Sequence, residues 1–474
     1  MIGKKWLTLI TVAVNGLLII LDVSIVNISF PTLTKTFKTE PSIVLWVAVI
    51  YSLMTVGFMP ILGRIGDLYG RKRIFTLGFT LFTLGLILCS LSQTILQLLL
   101  SRVVQGLGGA MNMALSFAIV TDAFPSQERG KALGIMGAVF AIGPLLGFTL
   151  GGFILDTIGW RAIFYTRIPI CIICIIIDLK LLKGEKPLNS GTALDIWGAG
   201  TLFASLACFL IFINIGGRSG FSSPSLQGLA GVAAILFILF IMQEKRTAQP
   251  VVNLDLFKNT IFAKGCISIA IFGLVVSMQL FLFPYYLIDG INYSASASGL
   301  ILAIPPILIA VIAPISGWLS DKFGSRLLCT LGMALLCLGL FLLSRLNAEA
   351  SGVEIISRVV IFGVGVSLFI PPNNSLLMGV APKESLGTVG ALINTIRQIG
   401  LSSGIAIAGT IFTIRRSVHT AQFTSNNVDQ AILDQLSLIG AYRDAILMGA
   451  IVCCIGIFTS LSCKTTKKAG NEIR

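Results

Sequence analysis

Charge is what this chain has least of. Only 11% of its 474 residues are Asp, Glu, Lys or Arg, against roughly 25% in a soluble protein. It has one histidine, His419, in a polar segment, and 20 acids against 34 basic residues. No His/Cys/carboxylate cluster has metal-ligand spacing, and no nucleophile stands beside a general base. These absences argue against a metal centre and against an enzyme, and no cofactor is expected. Long polar stretches are also missing, so no separate soluble domain is expected. The ten cysteines fall in apolar runs or at their edges. Disulfides need an oxidising, water-accessible setting, so these read as small apolar packers.

What is present is apolar length. Hydrophobic residues make up 55% of the chain. Runs of about 18 or more apolar residues, each long enough to cross a bilayer as a helix, recur throughout. Fourteen are read, at 6–30, 43–62, 74–93, 96–121, 132–155, 162–182, 196–216, 226–243, 261–287, 298–319, 327–346, 355–378, 386–412 and 440–462. The expected fold is an all-α membrane protein with 14 transmembrane helices. The first run is too long for a signal-peptide core and lacks a small-residue cleavage site, so it is expected to remain.

The net charge of +14 invites a nucleic-acid reading, which the placement of the charges rejects. With the N-terminus in the cytoplasm, 22 Lys and Arg fall on the cytoplasmic side, 9 on the outer side and 3 within spans. This asymmetry is the positive-inside signature, and it puts both termini in the cytoplasm. The expected setting is the cytoplasmic membrane, with membrane lipids as neighbours, no nucleic acid, and a monomeric protein.

The chain also repeats itself. GRIGDLYGRKR (63–73) follows the second span and GWLSDKFGSR (317–326) follows the tenth. Gly63, Asp67 and Gly70 align with Gly317, Asp321 and Gly324 at an offset of 254 residues. Transporters are commonly built from such repeats, with the substrate site between them near the midplane. The expected division is 1–190 as an N-terminal six-span half, 191–250 as an inserted two-span hairpin, and 251–474 as a C-terminal six-span half. A polar connection at 415–439 contains VDQAILDQLSL, whose spacing allows a short amphipathic surface helix.

One acid lies deep in a span. Asp22, in LLIILDVSIVNISFPTL (17–33), is costly to keep there and is a functional candidate for that reason. Asp122, Asp156, Asp178 and Asp289 are read near span ends.

Four motifs together resemble a known family. GRIGDLYGRKR is similar to the signature loop of the major facilitator superfamily. LDVSIVNISFPTL looks like the first-span signature of its fourteen-span drug:proton antiporters (EmrB/QacA type). SRVVQGLGGAM (101–111) resembles the fourth-span signature, and NTIRQIGLSSGIAIAGTIF (394–412) that branch's thirteenth span. The resemblance covers essentially the full length. It implies proton-driven export of lipophilic small molecules by alternating access, with Asp22 as proton carrier. Rival readings are a dedicated metabolite or lipid exporter on the same fold, and a transport-inactive membrane sensor.

Residue by residue, the resemblance and the physics give these expectations. Arg102 is the partner for Asp22. With 1.5 Å rise per residue, Asp22 lies roughly 12 Å and Arg102 roughly 9 Å below the outer ends of their spans. In this family both spans face the central cavity. Gly63 and Gly70 allow tight turns. Asp67, read near the start of the third span, suits a helix N-terminus and can pair with Arg71 or Arg129 as a gate. In the fifth span, Gly143, Pro144, Gly147, Gly151 and Gly152 carry the antiporter motif. Phe148 replaces the family's proline, and the bend passes to Pro144. Arg167 replaces an asparagine and is read as a cation near the outer side of the sixth span. Asn15, Gln105, Asn112, Gln279, Asn373, Asn374, Asn394, Arg397 and Gln398 are candidate cavity residues. Phe281, Phe283, Tyr285 and Tyr286 of the ninth span are read as platforms for a lipophilic substrate, Phe283 and Tyr286 first among them. Pro371-Pro372 is expected to break the twelfth span, leaving carbonyls that need a cavity or a neighbour.

Overall fold

The computed structural model describes residues 4–125, 128–181, 196–219, 223–247, 254–380, 386–424 and 430–462. The expected division points at 190/191 and 250/251 lie outside them. In a bilayer every backbone N–H and C=O must be satisfied internally, and a helix does this within one segment. The long helices are α1 (Lys4–Asn27), α2 (Trp46–Tyr69), α3 (Arg71–Leu91), α4 (Ile95–Ala123), α5 (Arg129–Thr157), α6 (Ile168–Leu181) and α7 (Ile196–Ser219). They continue with α8 (Pro224–Arg246), α9 (Thr260–Tyr285), α10 (Ile304–Phe323), α11 (Ser325–Leu343), α12 (Gly352–Val380), α13 (Leu386–Thr424) and α14 (Gln430–Leu461). Among the described residues 11 helices are long and apolar enough to cross a membrane, and α5 and α7 carry the shorter apolar stretches Ile142–Thr157 and Gly200–Phe209.

Helices α1–α6 pack among themselves, and so do α9–α14; α7 lies against α8, α2 and α13. The end of the bundle bearing Lys4, Gly70, Gly324 and Leu461 is called the terminal end, and the opposite end the far end.

Glycine sets the internal repeat in three dimensions. Gly70, with φ +99°, ends α2, and Gly324, with φ +89°, ends α10. Both conformations are easy only without a Cβ. Further along, Gly78 and Gly85 of α3 lie against α4, as Gly332 and Gly339 of α11 lie against α12. Gly108 of α4 returns the contact onto the backbone of Phe82, and Gly365 of α12 onto that of Leu336. Small residues let the helices approach to backbone contact, where dispersion is strongest.

Three sequence expectations change here. The Gly63–Tyr69 segment is not a loop but the last turns of α2, so Asp67 belongs to a helix C-terminus rather than the N-terminus of α3. Pro371 and Pro372 do not break α12, which runs through them. Pro372 cannot donate to the carbonyl four residues back, that of Leu368, and Ser316 Oγ of α10 donates to that oxygen at 3.1 Å. A neighbouring helix thus replaces the lost bond. Finally, Gln430 onward in VDQAILDQLSL is the start of α14 rather than a separate surface helix.

Candidate functional site

Asp22 lies on α1 five residues before its end, about 8 Å from Asn27 along the axis. It is 0% exposed, and the side chains around it are as buried: Arg102 at 1%, Gln105 at 0% and Arg167 at 4%. Arg102 Nη1 donates to Asp22 Oδ2 at 2.5 Å and to Gln105 Oε1 at 2.6 Å. Gln105 Nε2 donates to Asp22 Oδ1 at 3.0 Å. The same oxygen lies 2.7 Å from Arg167 Nη1.

The two arginines are themselves held. Arg102 Nε donates to the Val47 carbonyl of α2 at 2.9 Å, and its guanidinium lies 4.3 Å from the Tyr51 ring centroid. Arg167 Nε donates to Ile163 O at 2.8 Å, across the break between the short helix Ala162–Tyr165 and α6. Arg167 Nη2 is buried without a hydrogen-bond partner among the described residues. One carboxylate therefore faces two guanidiniums, a net charge of +1 in the middle of the N-terminal helices. Removing such a charge from water is costly unless it is paired and hydrogen-bonded, so the cluster constrains α1, α2, α4 and α6 together.

The structure brings Asp22 and Arg102 together, the pair expected from the sequence, and joins to them Gln105, expected there as a cavity residue. It adds Arg167, Tyr51 and the Val47 carbonyl, which the sequence reading did not. The signal for Arg167 was its departure from the family pattern. Counting depth from span ends places Arg167 at the outer edge, but its side chain is 4% exposed and reaches Asp22.

The antiporter motif packs α5 onto two neighbours. A Cβ on Gly143 would meet Ile20, one on Gly147 would meet Ser24 and the Leu21 carbonyl, and one on Gly151 would meet Ile25. All three partners are on α1, the helix that carries Asp22. Gly152 instead faces the Ala295 carbonyl, and the Phe148 carbonyl faces Gly299, both in the short helix Ala295–Leu302 before α10. Pro144 lies inside an uninterrupted α5.

That seam is one part of a far-end closure between the two groups of six helices. Asp156 of α5 accepts from Ala295 N at 3.0 Å and Ser296 N at 2.7 Å, and from Ser296 Oγ. Lys35 pairs with Asp289 at 2.6 Å. Thr34 shares a hydrogen bond with Tyr285 at 3.0 Å, and Phe30 lies against Phe281. These hydrogen bonds and the ion pair join the two groups of six helices at this end. Asp156 and Asp289 are thus at the bundle's edge, as the sequence reading placed them.

Asp178 stands three residues before the end of α6, near a span end as expected. It is nonetheless 0% exposed, so Asp22 is not the only deep acid, and it accepts from Asn15 Nδ2 of α1 at 2.8 Å. Phe283 and Tyr286 are packed too: they stack with Tyr442 of α14, and Tyr286 donates to the Asn347 carbonyl at 2.8 Å. The aromatic pair of α9 that touches the N-terminal helices is Phe281 and Tyr285. Asn112 donates to Gly108 O of its own helix at 3.1 Å. Gln279 and Asn373 are buried, while Asn374, Arg397 and Gln398 are half-buried. Gln279 Oε1, Asn373 Nδ2 and Asn374 Oδ1 have no partner among the described residues. The side chains of Asp67, Arg129 and Asn394 lie outside the described residues. Of the proposed gate, Arg71 is seen to pair with Asp122 of α4, and Gly63 sits opposite Ala114 of the same helix.

Two groups of six membrane-length helices with an ionic site buried among them are the architecture of a membrane transporter. The Major Facilitator Superfamily model matches residues 12–405, and the chain belongs to that family; it is a transporter, not an enzyme. It is 33% identical to the riboflavin transporter RibZ of Clostridioides difficile, over 97% of each chain. It is 30% identical to the multidrug resistance protein Stp of Mycobacterium tuberculosis, over 85% of this chain and 75% of that one. Multidrug resistance protein 3 of Bacillus subtilis is 31% identical over 78% of this chain and 72% of its own. In fold, the chain is similar to the crystal structure of a bacterial homologue of the human lysosomal transporter Spinster in an inward-facing, unoccupied conformation, with TM-score 0.72, 15% identity and 97% of each chain covered.

Proposed function

We propose that this chain is a fourteen-span, proton-coupled exporter of lipophilic compounds in the cytoplasmic membrane. Both termini face the cytoplasm, residues 1–190 and 251–474 form the two moving halves, and 191–250 is an inserted hairpin. The observation that carries this reading is the fully buried Asp22 between Arg102 and Arg167. A carboxylate at such depth is a natural proton carrier. Ionised, it holds α1 to α4 and α6. Protonated, it gives up most of its attraction for both guanidiniums and frees α1 to shift. The Gly143, Gly147 and Gly151 contacts would pass that shift to α5, whose far end forms the seam with the Ala295 helix. With the terminal end cytoplasmic, the far-end closure corresponds to an inward-facing state.

The relatives named for multidrug resistance support export of lipophiles. The experiment is flux driven by a pH gradient in proteoliposomes, with Asp22→Asn expected to abolish it. Undiminished flux in that variant would sink the proton-carrier role.

The second reading, a dedicated metabolite exporter, is favoured by one observation. The cluster carries a surplus positive charge and an unpartnered Arg167 Nη2, which suits an uncharged or anionic polar heterocycle. The relative named as a riboflavin transporter fits that chemistry. A compound panel in the same vesicles decides between them: flux confined to one such molecule favours this reading, and broad flux the first. Absence of any flux would leave the sensor reading.

A further inference from the structure

Asp178 is the second fully buried acid among the N-terminal helices, and the proposed mechanism does not use it. Asn15 Nδ2 donates to its Oδ2 at 2.8 Å. The two remaining oxygens, Asp178 Oδ1 and Asn15 Oδ1, are buried, and neither has a hydrogen-bond partner among the described residues. An ionised carboxylate offers only acceptors, and an amide oxygen is another acceptor. Left so, the pair strands two lone-pair sets and one negative charge away from water.

One proton resolves all three. A carboxylic acid and an amide are complementary: the amide N–H meets the acid's carbonyl oxygen, and the acid's O–H meets the amide oxygen.

Among the described residues, none of the charged and titratable neighbours hydrogen-bonds to the two stranded oxygens. On α3, Lys72 Nζ donates to the Leu179 carbonyl at 3.2 Å. On α1, Lys5 pairs with Glu128 at 2.6 Å. Asp122 of α4 is held by Arg71. On α6 itself Cys174 is buried one turn away and Lys180 is exposed. Among the described residues no cation lies within ion-pair distance of Asp178.

We propose that Asp178, paired with Asn15, is a second proton-binding site and carries its proton in this conformation. Its position links it to the first. Asn15 and Asp22 are seven residues apart on α1, two turns along one face, so the sites lie about 10 Å apart along the helix. Asp178 stands on the terminal-end side of Asp22. Its part in transport rests on the proton-coupled reading above; its protonation does not.

Infrared spectroscopy of the purified full-length protein in lipid nanodiscs at neutral pH tests the protonation. A protonated-carboxyl C=O band that shifts in D2O is expected in the unmodified protein and in Asp22→Asn. It should vanish in Asp178→Asn and move to higher frequency in Asn15→Leu, where the hydrogen bond is lost. A band unaltered by Asp178→Asn, or no band in the unmodified protein, overturns the proposal. Thermal unfolding gives an independent reading. Asn at 178 reproduces the neutral, doubly bonded pair, so Asp178→Asn should melt with the unmodified protein while Asp178→Ala melts lower. An equal fall in both would mean the fold uses the negative charge, which also overturns it. Flux insensitive to a pH gradient, with the band present and dependent on Asp178, would refute the coupling and leave the proton site standing.

Discussion

At the scale of single residues, the Asp22 cluster is unbalanced, and its variants should show it. Asp22→Asn leaves Arg102 and Arg167 buried with no counter-ion. Breaking a buried ion pair from one side costs about 3–5 kcal/mol, so a clear fall in melting temperature is expected. Arg167→Asn instead removes the surplus charge and leaves Asp22 bonded to Arg102 and Gln105. Its loss should be much smaller, and adding it to Asp22→Asn should recover part of that variant's deficit. Strictly additive losses in the three unfolding curves would mean that Arg167 and Asp22 do not interact. Asp22 was legible in the sequence because a lone acid in an apolar run needs a partner, and Arg102 because its depth and the family resemblance put it beside that acid. Arg167 and Asp178 were not. A span-end count gives depth along the membrane normal but not which way a side chain turns, and both turn inward onto α1.

The helices pack through positions where a Cβ has no room. On Gly108 it would strike the backbone nitrogen of Phe82, and on Gly365 that of Leu336. A backbone atom cannot rotate away, so Gly108→Ala and Gly365→Ala should each destabilise by about 1–3 kcal/mol. Gly228 of α8 has nothing within 4 Å of its Cβ position, and Gly228→Ala should be neutral or stabilising by up to about 1 kcal/mol. Melting curves of the three variants compare them directly; equal shifts would refute the packing argument. The seam between α5 and the Ala295 helix makes a second prediction at this scale. Asp156 supplies the bonds that hold the two backbone N–H groups of Ala295 and Ser296. Asp156→Ala should therefore shift the population toward a state open at the far end. Spin labels at the exposed Ile158 and Val353 would report longer distances; an unchanged distribution would place the closure elsewhere.

For the molecule as a whole, the distribution of charge limits what can be carried. Asp156 and Asp289 are committed to the far-end seam, and Asp22 is outnumbered by two guanidiniums. A dication entering that region would meet no spare negative charge, and an uncompensated buried charge costs several kcal/mol. Divalent organic cations should be poorer substrates than monocationic or uncharged lipophiles of similar size. Paired transport assays with mono- and dicationic dyes test this, and equal or better transport of the dications would refute it. Asp178 is the acid that could have contradicted this expectation. If it carries a proton, as proposed, it adds no negative charge.

By itself the sequence determined the all-helical membrane fold, the internal repeat and the ionic pair at its first and fourth spans. Apolar length, glycine spacing and isolated charges are one-dimensional quantities, written directly along the chain. Only the tertiary structure decided that two arginines rather than one hold Asp22, that Phe283 and Tyr286 stack on Tyr442, and that Ser316 mends the carbonyl freed by Pro372. It also decided that Asn15 and Asp178, 163 positions apart, meet in a buried pair. Each of these depends on the rotation of a helix about its own axis. Neighbouring helices fix that rotation by packing, and an apolar run with weak amphipathicity leaves it unwritten.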